Sequence, residues 1–104
     1  MNEEDWKLIL NKSKIKKYKK GEYIIKFESK TKNLYRVKKG IATVLVKNTN
    51  VKELLEHDVF GDMSILGETI SSADVVCTSQ ELEIWKIRAT DVWNIIELRL
   101  KIIF

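Results

Sequence analysis

The spacing of apolar positions changes character along this chain, and each change predicts an element. Near the start, Trp6, Ile9 and Leu10 fall on one helical face. Asn2 can cap that helix, and Glu3, Glu4 and Asp5 fill its first turn, where the helix dipole favours negative charge. The helix is expected to stop near Asn11. Short β-branched runs then follow at close intervals: Tyr23–Phe27 after Lys20-Gly21, Leu34–Val37 before Lys39-Gly40, Ile41–Val46, Val51–Leu55 after the polar turn 47–50, Ala73–Thr78, and Leu82–Ile87. At the end, Thr90-Asp91 caps a closing helix with Val92, Trp93, Ile96, Leu100 and Ile103 at helical spacing. Helix, about seven strands, helix is the expected order, and many short strands at this spacing predict a sandwich, roll or small barrel.

With 104 residues there is material for one core, and no proline, linker or repeat suggests a boundary, so residues 1–104 are expected to form a single domain. No apolar run approaches the roughly 18 residues a membrane helix needs, and Met1–Asp5 does not resemble a signal peptide. A lone cysteine, Cys77, excludes an internal disulfide framework and makes a cytoplasmic setting the expectation. Charge changes the picture more. Residues 1–50 hold 14 basic against 5 acidic residues, a net of +9, whereas residues 51–104 hold 5 against 10, a net of −5. The basic density peaks at Lys12, Lys14, Lys16, Lys17, Lys19 and Lys20. Such a run suits nucleic acid or an anionic surface. With no arginine and only Tyr18 interleaved, it reads better as a strand and loop whose lysines resist edge-to-edge pairing.

The segment with chemical content is Val59-Phe60-Gly61-Asp62-Met63-Ser64-Ile65-Leu66, followed by the loop 67–72 and the strand from Ala73. Gly61 lets a ligand approach the backbone, free amides at the start of a short helical turn can meet an anion, and the Asp62 carboxylate can accept from a ribose hydroxyl. Taken alone, Gly61-Asp62 reads better as an ordinary turn before a short helix. His57 has no histidine or cysteine beside it for a metal site, and Cys77 has no histidine partner for nucleophilic work. No paired carboxylates or triad can be assembled, so no enzyme, cofactor or metal is expected.

From Gly21 through Leu34–Gly40, Val51/Leu54 and Phe60–Leu66 to Ser71-Ser72-Ala73-Asp74-Val75-Val76, the chain resembles the cyclic-nucleotide-binding domain family. The resemblance implies a mainly β, jelly-roll-like β-roll with a short N-terminal helix, a short cassette helix and a C-terminal helix. It also implies a phosphate-binding cassette for cyclic AMP or cyclic GMP, formed here by Phe60, Gly61, Asp62, Met63, Ser64, Ser71, Ser72 and Ala73. The cassette departs from the family pattern. Asp62 stands where the family has a ribose-binding glutamate, Ser71 where it has the phosphate-binding arginine, and Ile70 where a proline often precedes that arginine. Ser72 keeps a hydroxyl that in some members helps select guanine. Glu28, Thr31 and His57 stand at three common loop glycines. A late tryptophan caps the purine in some members, and Trp6, Trp85 and Trp93 are read here as core or rim aromatics.

A charge-assisted bond from arginine to phosphate contributes about 1.5–3 kcal/mol, so its loss weakens binding about 10- to 150-fold. The expected function is therefore a regulatory or sensory domain with weak or absent nucleotide binding, in which cassette occupancy moves the C-terminal helix. The alternative is a degenerate member serving as a protein-interaction or dimerisation module. Expected partners are other domains of a larger parent chain, or a second copy through the wide apolar face of the C-terminal helix. No membrane span and no nucleic acid contact are expected.

Overall fold

In the computed structural model of the chain, the described residues are 3–26, 33–61, 73–88 and 90–95. Helix α1 spans Glu3–Asn11 and is followed by strands β1 (Lys14–Lys19), β2 (Tyr23–Ile25), β3 (Asn33–Lys39), β4 (Ala42–Val46), β5 (Thr49–Leu54), β6 (Val59–Gly61), β7 (Asp74–Cys77) and β8 (Glu81–Arg88). Residues 90–95 are helical and are called α2. The strands form two four-stranded antiparallel sheets, ordered β1-β8-β3-β6 and β2-β7-β4-β5. This is the mainly β roll expected. Asn2 and Phe27 lie outside the described residues.

One strand, β6, escaped the coarse expectation, while the lysine run supplies the guarded strand expected of it. β1 carries four lysines in six residues and is exposed along most of its length, as suits the edge strand it is. β6 is three residues long, too short to show alternation.

Alternation along β3 and β8 divides the apolar side chains between two cores. Tyr35, Val37, Leu82 and Ile84 face the second sheet and pack with Ala42, Leu54, Phe60, Val75 and Cys77. Leu34 and Ile87 face the other way, against Ile9 of α1 and Val92 and Ile95 of α2. Each fully buried aliphatic side chain here contributes about 1.5–3 kcal/mol relative to exposure. The first sheet is thus sandwiched, with the second sheet on one side and helices on the other. Ile9 is fully buried, with Trp6 and Leu10 packed at the rim, as their spacing predicts. The closing helix needs a correction: Trp93 is 48% exposed, and the packed line is Val92 and Ile95. Ile96, Leu98, Leu100, Ile102 and Ile103 lie outside the described residues.

The register gives the roll two unlike ends. At one, the connections β1–β2, β3–β4, β5–β6 and β7–β8 are tight and cross-bonded. The Gly21 amide donates to the Cys77 carbonyl (2.8 Å), Cys77 returns a bond to Glu22 (2.8 Å), and the Ile41 amide donates to Ser79 Oγ (2.9 Å). The Leu55 amide is capped by Asp58 Oδ2 at 2.8 Å. At the opposite end β3 begins at Asn33, β6 finishes at Gly61, β7 begins at Asp74 and β8 finishes at Arg88. The cassette therefore leaves and re-enters the roll at the end that also carries the β4–β5 hairpin turn at Lys47-Asn48.

Candidate functional site

The cassette is launched from a fixed point. Phe60 is buried in the core between the sheets, its ring stacked on Tyr35 with centroids 5.2 Å apart and planes 22° apart. Gly61 follows at φ +112°, and a Cβ placed there would lie 2.6 Å from the Asn33 carbonyl oxygen and 3.0 Å from the Tyr35 ring. Only glycine lets β6 lie this close to β3. At the other side of the cassette Ala73 is half-buried and leads directly into β7. Of the expected site residues, Phe60, Gly61 and Ala73 are thus placed, at one end of the roll. Asp62, Met63, Ser64, Ser71 and Ser72 lie outside the described residues.

The same end carries residues that the sequence did not single out. Across the first sheet, Lys14 of β1 is paired with Lys86 of β8, Lys86 with Tyr35 of β3, and Tyr35 with Phe60 of β6. These four positions form one rank. Since Tyr35 and Phe60 face the second sheet, so do the positions of Lys14 and Lys86. One step closer to the end, Arg88 pairs with Asn33 on the same face. Its guanidinium bends to α2, bonding both carboxylate oxygens of Asp91 at 3.1 and 3.3 Å. The forked geometry and the near-complete burial of Asp91 make this more than a solvated surface pair.

A β-roll whose outer sheet face carries helices, and whose sequence continues from the end of β6 as Gly61-Asp62, is what the resemblance to a cyclic nucleotide-binding domain implies. The family model described as "Cyclic nucleotide-binding domain" matches residues 15–99. The chain belongs to this family. A cGMP-dependent protein kinase of Plasmodium berghei is 27% identical over 90 residues, which cover 86% of this chain and 10% of the kinase. Among solved structures, the regulatory subunit of a cAMP-independent protein kinase A from Trypanosoma cruzi, bound to guanosine, superimposes with a TM-score of 0.78. The match has 21% identity and covers 91% of this chain and 34% of that one. A triple mutant of the corresponding Trypanosoma brucei subunit, with one threonine replaced by arginine, is bound to cAMP in its A site. It gives a TM-score of 0.78 at 18% identity, covering 91% of this chain and 35% of that one. At these identities the solved structures establish the fold. The chain spans about a tenth of the length of the kinase and about a third of each regulatory subunit.

Within this cyclic nucleotide-binding domain the remaining candidates fall away from the cassette end. His57 sits in the β5–β6 turn at the opposite end, with φ +76°. This is the left-handed region a glycine favours, and it matches the glycine common there in the family. Arg36 lies 3.4 Å from its Nδ1 and Glu56 lies 3.7 Å from its Nε2. Among the described residues no three His, Cys, Asp or Glu side chains are grouped as a metal site. Cys77 is buried in the core, and its S–H donates to the Ser79 carbonyl at 3.2 Å. Burial pushes its thiol above the ordinary range, opposite to what a nucleophile needs. Trp6 and Trp85 form the rim of the helix-side core, stacked under Arg36 (4.9 Å) and Lys38 (5.1 Å) respectively. Both lie on the helix side of the first sheet. Among the described residues no helix is long and apolar enough to cross a membrane.

Proposed function

We propose that this domain is a non-catalytic regulatory module, a cytoplasmic part of a larger signalling chain, whose cassette takes a cyclic nucleotide weakly. Occupancy of residues 60–73 would bias the position of the helix that begins at residue 90. The observation that carries this reading is the family match over residues 15–99, in a chain whose cassette retains its glycine and carboxylate but has Ser71 at the arginine's place. The T. brucei subunit that carries an introduced arginine and is bound to cAMP supports the link between that residue type and cyclic nucleotide. The T. cruzi subunit, bound to guanosine, supports a nucleoside as a second ligand class for this fold.

The Arg88–Asp91 bond supports the reading that the helix is coupled to the roll. It ties the last residue of β8, at the cassette end, to the first turn of α2, so a change at the strand end would be passed to the helix. The competing reading is an interaction module that takes no nucleotide, and Ser71→Arg separates the two. Calorimetric titration with cyclic AMP and cyclic GMP should give weak binding for the wild type and binding at least tenfold tighter for Ser71→Arg, because the variant adds a charge-assisted contact. Ser71→Lys should recover less, since lysine lacks the planar fork. Absence of binding by the wild type and by both folded variants would favour the interaction module.

A further inference from the structure

We propose that the outer edge of β1 is a docking surface for an extended acidic peptide, which adds to the first sheet as a further strand beside β1. The surface lies apart from the cassette and needs no nucleotide. β1 is an edge strand: β8 flanks it on one side, and among the described residues no strand pairs with the other. The register settles which main-chain groups are open. The Lys20 amide donates to the Gln80 carbonyl (3.3 Å), one step beyond the Lys19–Glu81 pair, so the even-numbered positions of β1 bond β8. Lys19 points the other way, its amide donating to Glu22 Oε1 (2.7 Å) and its carbonyl accepting from the Glu22 amide (3.0 Å). By the same alternation the main-chain groups of Ile15 and Lys17 are directed outward. Each offers a partner strand one donor and one acceptor, and Glu22 closes the window beyond them.

Two rows of side chains flank that edge. Lys14, Lys16 and Tyr18 lie on the face towards the second sheet, where Tyr18 packs against the core, and Ile15, Lys17 and Lys19 lie on the helix side. All but Tyr18 are exposed. Lys17 and Lys19 stand opposite Glu83 and Glu81, whereas Lys16 stands opposite Ile84 and Lys14 opposite Lys86. Among the described residues no lysine of β1 is in an ion pair. The open main chain thus has positive charge on both sides of it. A flat lipid surface meets one row at a time. A strand laid along the edge meets both, because its side chains alternate in step with those of β1. Residues 12–20 contain no arginine, and Tyr18 is turned to the core, so nucleic acid would find charge here without a stacking platform. A second copy of β1 is barred, since it would bring lysine against lysine. The partner that fits has an apolar residue beside Ile15 and carboxylates opposite Lys14, Lys16 and Lys17.

The test is fluorescence anisotropy of the whole chain with labelled acetyl-Thr-Glu-Glu-Val-Glu-Thr-amide, whose valine falls beside Ile15 when it runs antiparallel. Binding should saturate, and should weaken about threefold or more as ionic strength rises from about 0.05 to about 0.5 M. Lys14→Glu together with Lys16→Glu should weaken it about tenfold or more. A peptide with lysine in place of glutamate should prefer that variant to the wild type. The variant sets a carboxylate opposite Lys86, so it should fold as the wild type does, which far-ultraviolet circular dichroism checks. Lys52→Glu, on the β5 edge of the second sheet, should leave binding unchanged. N-methylation of the peptide separates strand addition from simple charge attraction and leaves the protein untouched. Methyl groups on the valine and on the glutamate two places before it block the amides that face β1 and should abolish binding. A methyl group on the glutamate between them faces away and should leave most of it. Equal binding of the two methylated peptides would overturn the proposal, as would no saturable binding of the parent peptide, or binding that ignores Lys14 and Lys16. Tighter binding of oligothymidylate, or of phosphatidylserine-containing vesicles, than of the peptide would overturn it too.

Discussion

Replacing Gly61 by alanine tests how the cassette is anchored, with Gly21→Ala as its control. Both glycines have positive φ, +112° and +92°, but an added Cβ at Gly21 meets nothing within 4 Å, whereas at Gly61 it meets the Asn33 carbonyl at 2.6 Å. Gly21→Ala therefore adds backbone strain alone, about 1–2 kcal/mol. Gly61→Ala adds the same strain and a collision with main chain that belongs to the neighbouring strand. Relief requires β6 to draw back from β3, giving up one or two backbone bonds at about 0.5–1.5 kcal/mol each, and part of the Tyr35–Phe60 stacking at about 0.5–1.5 kcal/mol. The excess over the control is about 2 kcal/mol. For a domain of this size 1 kcal/mol moves Tm by about 4–8 °C, so Gly61→Ala should melt about 8–16 °C below Gly21→Ala. Differential scanning calorimetry of the two variants and the wild type reads this directly. Equal losses of Tm would refute the argument, since they would mean that β6 accommodates a methyl group without leaving β3.

His57→Gly should stabilise the domain. It relieves a left-handed backbone worth about 1–2 kcal/mol at the cost of about 0.5–1 kcal/mol of glycine entropy. A Tm rise of a few degrees is expected, and a fall would mean that the contacts to Arg36 and Glu56 outweigh the strain. The buried Cys77 thiol should resist a disulfide-exchange reagent at pH 8 until the chain is unfolded by urea, and prompt labelling of the folded protein would contradict its placement. Tyr18 and Cys77 are both raised, chiefly by burial. Below the ordinary thiol value of about 8.5 both groups are neutral folded and unfolded, so neither contributes a pH dependence there. Above it the unfolded chain loses protons first, so the urea midpoint should fall as pH rises from 8 to 11. A flat midpoint would count against this.

What could be read in advance depended on what each residue signals by type alone. β3, β4, β7 and β8 show themselves because their inward positions are apolar and their ends carry turn residues. β1 has only Ile15 and Tyr18 to mark it among lysines, and it exists as a strand because β8 supplies its partners. The apolar face of α2 was drawn too wide at its start, because Val92 and Trp93 are adjacent and periodicity cannot decide which of two neighbouring lines meets the sheet. The cassette showed in order and spacing, Gly61 above all, yet the reason for that glycine is the Asn33 carbonyl, a neighbour invisible until strands are paired. The same is true of Lys14 and Lys86. They are far apart in the chain, and only the β1–β8 register makes them neighbours. His57 carries a left-handed turn without glycine, so only its place in the family pattern hinted at that backbone.

The shared helix-side core has a consequence for communication along a longer polypeptide. Ile9 comes from the first described element and Val92 and Ile95 from the last, yet all three occupy one apolar layer on the back of β3 and β8. Drawing α2 off that layer would uncover Ile9 and loosen α1 without disturbing the contacts between the sheets. Neighbours joined before α1 and after α2 would then hear the same message from opposite ends of the chain, through a few ångströms of packed aliphatic carbon. The roll would act as a junction between its flanks as well as a receiver.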